Sequence, residues 1–171
     1  MSANVPVVRP ISWPAVLILT LLSIIFISVF ALIFDSDGIM IGAIVFAALS
    51  IVLQAVIARS HKKGMRAIKR NDFEAGIGYF QDSADFFTRN SWIDKYRAIT
   101  MLSASKMCYR EMALCNIAFC YSQTMQAEKA KALYEQILQE FPDNGIAYYS
   151  LNSINTFSNK PEENNNMSSE M

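Results

Sequence analysis

Two stretches of this sequence leave it little choice of environment. Residues 15–34 read AVLILTLLSIIFISVFALIF and residues 39–58 read IMIGAIVFAALSIVLQAVIA, each twenty residues with no charged side chain. At about 1.5 Å of rise per residue each is roughly 30 Å long as a helix, the depth of a bilayer's hydrocarbon core. A buried helix of a soluble protein is seldom apolar on every face for that length, so both are expected to span a membrane. Gln54 is the most polar residue of the second span. Only Asp35-Ser36-Asp37-Gly38 lie between the spans. So short a connection predicts an antiparallel hairpin with both far ends on one side.

Charge sets the orientation. Residues 59–70 (RSHKKGMRAIKR) hold six Lys or Arg, one His and no acid, whereas the connecting turn is acidic. Positive flanks stay in the cytoplasm, so both termini are expected there, with the turn outside. A bacterial inner membrane is the expected home. Trp13 fits an interfacial anchor at the start of the first span. A cleavable signal peptide ending near Val29-Phe30-Ala31 is the competing reading, but twenty apolar residues is long for a signal core, and only Arg9 precedes it. Either reading keeps the C-terminal part cytoplasmic. The division expected is a short segment 1–14, two spans within 15–58, a helical domain 59–157, and a polar tail 158–171 too poor in apolar residues to fold.

Small residues recur in the second span: Gly38 and Gly42, then Ala43 and Ala47. Such spacing lets helix backbones approach closely in lipid. Packing of the hairpin on itself is favoured over homodimerisation, the other use of the same residues. The basic run fixes topology, and Arg59, Lys62, Lys63 and Arg66 are the expected contacts to anionic headgroups. His61, in the same run, is expected as solvated charge. With basic charge confined there, no nucleic-acid partner is expected.

Beyond residue 60 the pattern is helical throughout. Ser91 before Trp92-Ile93-Asp94 reads as an N-cap. The sequence from Trp92 to Gln123 has no Gly or Pro, which predicts one long helix or two joined near residues 106–109. An amphipathic helix is expected from Ala127 to Phe141, stopped by Pro142. Residues 111–144, EMALCNIAFCYSQTMQAEKAKALYEQILQEFPDN, then resemble a tetratricopeptide repeat of the usual 34-residue length. Leu114, Ile117, Ala118 and Tyr121 stand at first-helix packing positions; Ala130, Tyr134 and Ile137 at second-helix ones; Pro142 closes the unit. Met125 occupies the turn position that usually holds Gly, which predicts a differently built turn. A weaker copy covers residues 57–90, with Gly64, Gly76 and Phe80 at matching positions. Its first helix would begin inside the second span, so span and repeat could be one continuous helix. Residues 143–157 read as a capping helix. The fold expected is therefore all-α: a transmembrane helical hairpin followed by a short tetratricopeptide-repeat-like solenoid.

That resemblance implies protein binding on the face of the first helix of each repeat, here Met112, Cys115, Asn116, Phe119 and Ser122. In so short an array the same side chains could instead pack on the preceding helix. No nucleophile–base–acid set, phosphate loop or metal-ligand cluster can be assembled, so no cofactor and no enzymatic activity are expected. Cys108, Cys115 and Cys120 lie within thirteen residues with no CxxC spacing, and are expected as free thiols. The function expected is a membrane-tethered adaptor or scaffold. The alternative is an accessory subunit that contacts its complex through the hairpin.

Overall fold

The computed structural model describes residues 11–158; most of the expected N-terminal segment, with Arg9, and the tail from 159 onward lie outside the described residues. Among those described there are eight helices and no strand. The first, α1 (Trp13–Ile57), is the hairpin, with arms Trp13–Asp35 and Asp37–Ile57. Its turn is tighter than four residues. Helical geometry is lost only at Phe34 and Asp35, where Asp35 adopts φ 50°. With ψ at −133° this is a conformation that L side chains rarely adopt, so the tight turn is strained at Asp35.

The tight turn puts Gly38 inside the second arm and against the first. A Cβ on Gly38 would stand 2.6 Å from Ala31 Cα, and one on Gly42 would stand 3.0 Å from Phe30 Cβ and 3.1 Å from Ile27 Cα. The two glycines therefore bring the hairpin's own arms together. Ala43 and Ala47 are exposed and take no part in that contact. Phe26 stacks on Phe30 at 5.0 Å and meets Phe46 of the other arm at 5.7 Å, which fills the wider part of the seam. The outer surface stays bare. Of the most apolar stretch in each arm, 0% and 6% is buried by the rest of the protein, so neither arm is the core helix of a soluble fold. Both are long and apolar enough to cross a membrane.

The second arm and the next helix are not continuous. The helix breaks at Ala58 (φ −93°, ψ 29°), a residue only 1% exposed, before α2 (Arg59–Lys69) begins. Ala58 is drawn into a small cluster with Phe87, Met101 and Tyr109, and this burial sets the break. The chain then runs through α3 (Phe73–Arg89), the short α4 (Ser91–Lys95) and α5 (Arg97–Thr100), an irregular stretch, α6 (Tyr109–Gln123), α7 (Ala127–Glu140) and α8 (Gly145–Ser158). Successive long helices pack as neighbours: α2 on α3, α3 on α6, α6 on α7, α7 on α8. Their shared core includes Ile68, Phe80, Leu114, Ile117, Ala118, Ala130, Tyr134 and Ile137.

Two glycines allow the first of these contacts. A Cβ on Gly64 would lie 2.7 Å from the Phe80 ring, so only hydrogen lets that wholly buried ring lie on α2. Gly76 faces Ile68, Ala67 and the Cys120 sulfur. Asp72 caps α3 by accepting from Ala75 N at 3.1 Å. At the α6–α7 turn Met125 takes φ 58°, the left-handed conformation a glycine would supply, with its side chain in solvent. A residue ill-suited to that conformation thus adopts it.

The span from Trp92 to Gln123 departs most from expectation. It is neither one helix nor simply two. Ser91 is the first residue of α4 rather than its cap; the cap position is Asn90, whose side chain makes no capping bond and instead donates to Phe86 O at 2.9 Å. The chain leaves helical geometry through residues 101–108, with Leu102 at φ 48°. The reason is tertiary. Asp94, 5% exposed, turns inward and accepts from Tyr109 N at 2.8 Å and Arg110 N at 2.9 Å, so it caps α6. Arg97 donates to the carbonyls of Asp94, Ser105 and Lys106 at 2.9, 2.8 and 2.5 Å. One guanidinium thereby satisfies three carbonyls that no helix ladder reaches.

Candidate functional site

The irregular stretch 101–108 exists where the helical domain meets the base of the hairpin. Gln54, the polar residue near the end of the second arm, donates to Leu102 O at 3.3 Å and to Ser50 Oγ at 3.2 Å. Ser12, just before the first arm, donates its N–H to Ala104 O at 2.9 Å, and Ile11 pairs antiparallel with Ser105. Both arms are therefore tied to one loop, and α5 lies against α1 as well. The polarity of Gln54 inside an apolar run is explained by this bond.

A cleft of about 580 Å³ opens at this junction. One wall is α2, which contributes Lys62, Met65, Arg66 and Lys69; the opposite wall is Ile11 with Ser103, Ala104 and Ser105. Gln54, Ala58, His61, Tyr109 and Met112 also line it. Lys62, Arg66 and Lys69 recur at i, i+4 and i+7, one face of a helix. None of the lining residues is a carboxylate. Of the four cations expected to meet headgroups, Lys62 and Arg66 thus line the cleft. Arg59 does not, and Lys63 extends toward α3, its Nζ 5.6 Å from the Tyr79 ring centre. Lys69 was not among the expected residues, although its spacing from Lys62 and Arg66 is visible in the sequence.

His61 is not solvated charge. It is 7% exposed, with its ring edge-on to Phe80 at 5.2 Å and to Tyr109 at 5.5 Å. The basic neighbours mask a helix face made of His61, Gly64 and Ile68, all buried.

The five side chains implied by the repeat resemblance are brought along one helix but divided in their use. Cys115 is 5% exposed within the main core and accepts from Asn144 Nδ2 at 3.3 Å. Phe119 meets Phe73 edge-on at 6.1 Å, and Met112 packs against the Ala58–Phe87–Met101–Tyr109 cluster. Asn116 is half-buried and donates to Met112 O at 2.8 Å. Ser122 alone of the five is exposed.

A second groove, about 620 Å³, lies between the start of α6 and the α7–α8 corner, where Met107, Phe141, Ile146 and Tyr149 meet Glu111 and Glu140. Asn144 builds its floor. Its side chain donates to Glu111 Oε1 at 2.9 Å and caps α8 by accepting from Ala147 N at 2.7 Å. Arg110 pairs with Glu140 at the groove's edge and donates to Thr88 Oγ1 at 2.9 Å. The same bond lowers the Glu140 carboxyl below its ordinary value, helped by Gln136, and raises the Arg110 guanidinium.

The three thiols are free, two of them buried and Cys108 partly so. Burial pushes Cys115 and Cys120 up to about 12 and Cys108 up to about 11, so all stay protonated at neutral pH. Among the described residues no group of three or more His, Cys, Asp or Glu is placed to hold a metal ion. Comparison of the chain with protein-family models, curated proteins and solved structures gives no match. What stands is an all-helical chain whose two apolar helices can cross a membrane and whose helical domain sits directly on their base.

Proposed function

We propose that the chain is a membrane-tethered, non-enzymatic interaction module of tetratricopeptide-like build. Its hairpin spans a bacterial inner membrane, and its helical domain faces the cytoplasm and gathers a protein partner there. The observation that carries this reading is the linkerless joint: Gln54 with Leu102, and Ser12 with Ala104, fix the domain on the hairpin's base. Uncovered apolar arms, an acidic turn and a basic α2 support the orientation. Trp92, Tyr96 and Ile99 are 59%, 53% and 57% exposed beside that base. Interfacial aromatic residues belong at that depth. Tethering raises the effective concentration of a modest binding surface for membrane neighbours.

The partner surface is the groove at the α7–α8 corner. Three of the five α6 positions are spent on packing, whereas Tyr149 is 72% exposed at the groove's rim. A photo-crosslinking amino acid in place of Tyr149 should capture a discrete protein in cells. Capture from Ser122 alone would move the partner to the α6 face. Capture only from Ala43 or Ala47, the small residues left exposed on the hairpin, would favour the accessory-subunit reading. Membrane insertion is tested separately. In a Trp92→Phe chain reconstituted into brominated lipid, Trp13 should be quenched severalfold; unquenched emission, with the protein recovered in the supernatant, would remove the tether.

A further inference from the structure

We propose that the cleft at the hairpin's base is a binding site for a phosphate-bearing anion, either the headgroup of an acidic phospholipid or a soluble phosphate ester. The proposal deepens the tether reading, which supplies the lipid as one source. The binding chemistry itself depends only on the cleft.

Three cations share one face of α2, and like charges so spaced repel. Surfaces usually relieve such repulsion with carboxylates, yet among the described residues none lines this cleft. Arg66 Nε donates to Lys62 O at 3.3 Å, which lays its guanidinium along the helix and leaves both terminal nitrogens for a ligand. A phosphate group suits this arrangement better than a carboxylate. It carries up to about two negative charges and three or more acceptor oxygens, so an Arg fork and two Lys point charges can engage different oxygens at once. The cleft's 580 Å³ falls within the roughly 300–1,000 Å³ of small-molecule sites, enough for a phosphoglycerol unit.

The far wall is preformed. Arg97 holds the carbonyls of Ser105 and Lys106, and Ser12 N–H holds that of Ala104. The loop therefore keeps its shape without a ligand, and two wall carbonyls that would repel an anion, those of Ala104 and Ser105, are already engaged. The cleft also begins where the second arm ends, at Gln54 and Ala58, which is headgroup depth for a chain whose arms span the bilayer.

The test uses the full chain, delipidated in nonionic detergent and titrated calorimetrically with short-chain phosphatidic acid, short-chain phosphatidylcholine and glycerol 3-phosphate. Saturable one-to-one binding of phosphatidic acid is expected, with phosphatidylcholine at least tenfold weaker. Lys62→Gln/Arg66→Gln/Lys69→Gln should weaken binding tenfold or more. Arg59→Gln/Lys63→Gln/Arg70→Gln removes the same charge outside the cleft and should change it less than threefold. Glycerol 3-phosphate binding as tightly as phosphatidic acid supports the site and assigns a soluble ligand; binding of the lipid alone assigns a headgroup. Equal loss in both triple variants would reduce the effect to diffuse surface charge and overturn the site, as would absence of saturable binding to any phosphate. All altered side chains lie outside the buried core, and unchanged circular dichroism establishes that the variants fold. If the protein proves not to be membrane-bound, the tether falls while the glycerol 3-phosphate titration still decides the cleft.

Discussion

Replacing Asp94 with Ala should unfasten α6 from the loop before it. The carboxylate takes two backbone N–H groups of the first turn, Tyr109 at 2.8 Å and Arg110 at 2.9 Å, and it is buried while doing so. Hydrogen bonds to a charged acceptor are worth about 1.5–3 kcal/mol each, and loss of an N-cap alone costs about 0.5–2 kcal/mol. The two bonds share one carboxylate, and Arg110 is half-exposed, so water replaces part of what is lost there. The sum is therefore less than additive, about 2–4 kcal/mol. The local cap offers little insurance: Cys108 accepts from Glu111 N through sulfur at 3.4 Å, a weak acceptor. Urea unfolding of the full chain in micelles, followed by far-ultraviolet circular dichroism, reads the helical domain while the hairpin stays folded. With a slope of about 2 kcal/mol per molar, the midpoint should fall by about 1–2 M. Asp94→Asn keeps one acceptor oxygen and should lose about half as much. Amide exchange should accelerate first at residues 109–112. An Ala variant within about 0.3 M of the parent, at about the same slope, would refute the claim that this carboxylate holds the start of α6.

Other parts of the fold give sharper signs than sizes. A Cβ at Gly64 would stand 2.7 Å from the buried Phe80 ring. Gly64→Ala should therefore destabilise by about 1–2 kcal/mol in the same urea assay, since overpacking outweighs the roughly 1 kcal/mol of helix propensity gained. Adding Phe80→Leu should lower the cost of the Gly64 change, measured by the double-mutant cycle. Met125 sits at φ 58°, strained for Met and free for Gly. Met125→Gly should accordingly stabilise by about 0.5–1 kcal/mol, read from the urea midpoint. Gly38→Leu should separate the arms and abolish short-linker cross-linking between cysteines placed at 26 and 46 in a cysteine-free background, whereas Ala43→Leu should leave it intact. The Glu140 carboxyl is lowered in the fold from its ordinary 4.5, so its pairing with Arg110 stabilises fully above that pH and fades as pH falls through the folded value. The loss, below about 1 kcal/mol for so exposed a pair, should vanish in Arg110→Gln when stability is titrated from about pH 6 to about pH 3.

The hairpin was legible because crossing a bilayer requires one length and one polarity, and residues 15–34 and 39–58 meet both without interruption. The packing positions Leu114, Ile117, Ala118, Ala130, Tyr134 and Ile137 were legible because helical spacing alone places them on a shared face; all six are buried, while Tyr121, named with them, is only partly so. The break at 101–108 was legible only in part. A joint near residues 106–109 is one of the two expectations, and α6 does begin at Tyr109, but the loss of helix from 101 onward was not legible. Helix ends are usually read from Gly, Pro or a neighbouring cap, and this one is made by residues distant along the chain. Asp94 supplies the cap of a helix that starts fifteen residues later, and Arg97 satisfies carbonyls eight and nine residues on. His61 was missed for a related reason. Local charge suggested solvent, but its helix face, with Gly64 and Ile68, points at Phe80.

These misreadings fall at one place, the joint between hairpin and domain, and the physics there accounts for it. A flexible linker would have let the two parts follow their own local rules, and the sequence would then have shown Gly, Ser or Pro after the second span. Instead Ala58, Phe87, Met101 and Tyr109 form a cluster drawn from four separate stretches of chain, and Gln54 reaches across to Leu102. Every residue of such a joint answers to partners remote in sequence. Such a joint also transmits orientation. A domain hydrogen-bonded near the base of both arms is held in one orientation to the hairpin, which sets its outer groove at a defined height and angle to the apolar arms. Gln54→Leu, which removes one tie while leaving the span apolar, therefore bears on the geometry of the joint as well as its stability: it should loosen loop 101–108 and blur the cleft before it unfolds the helices.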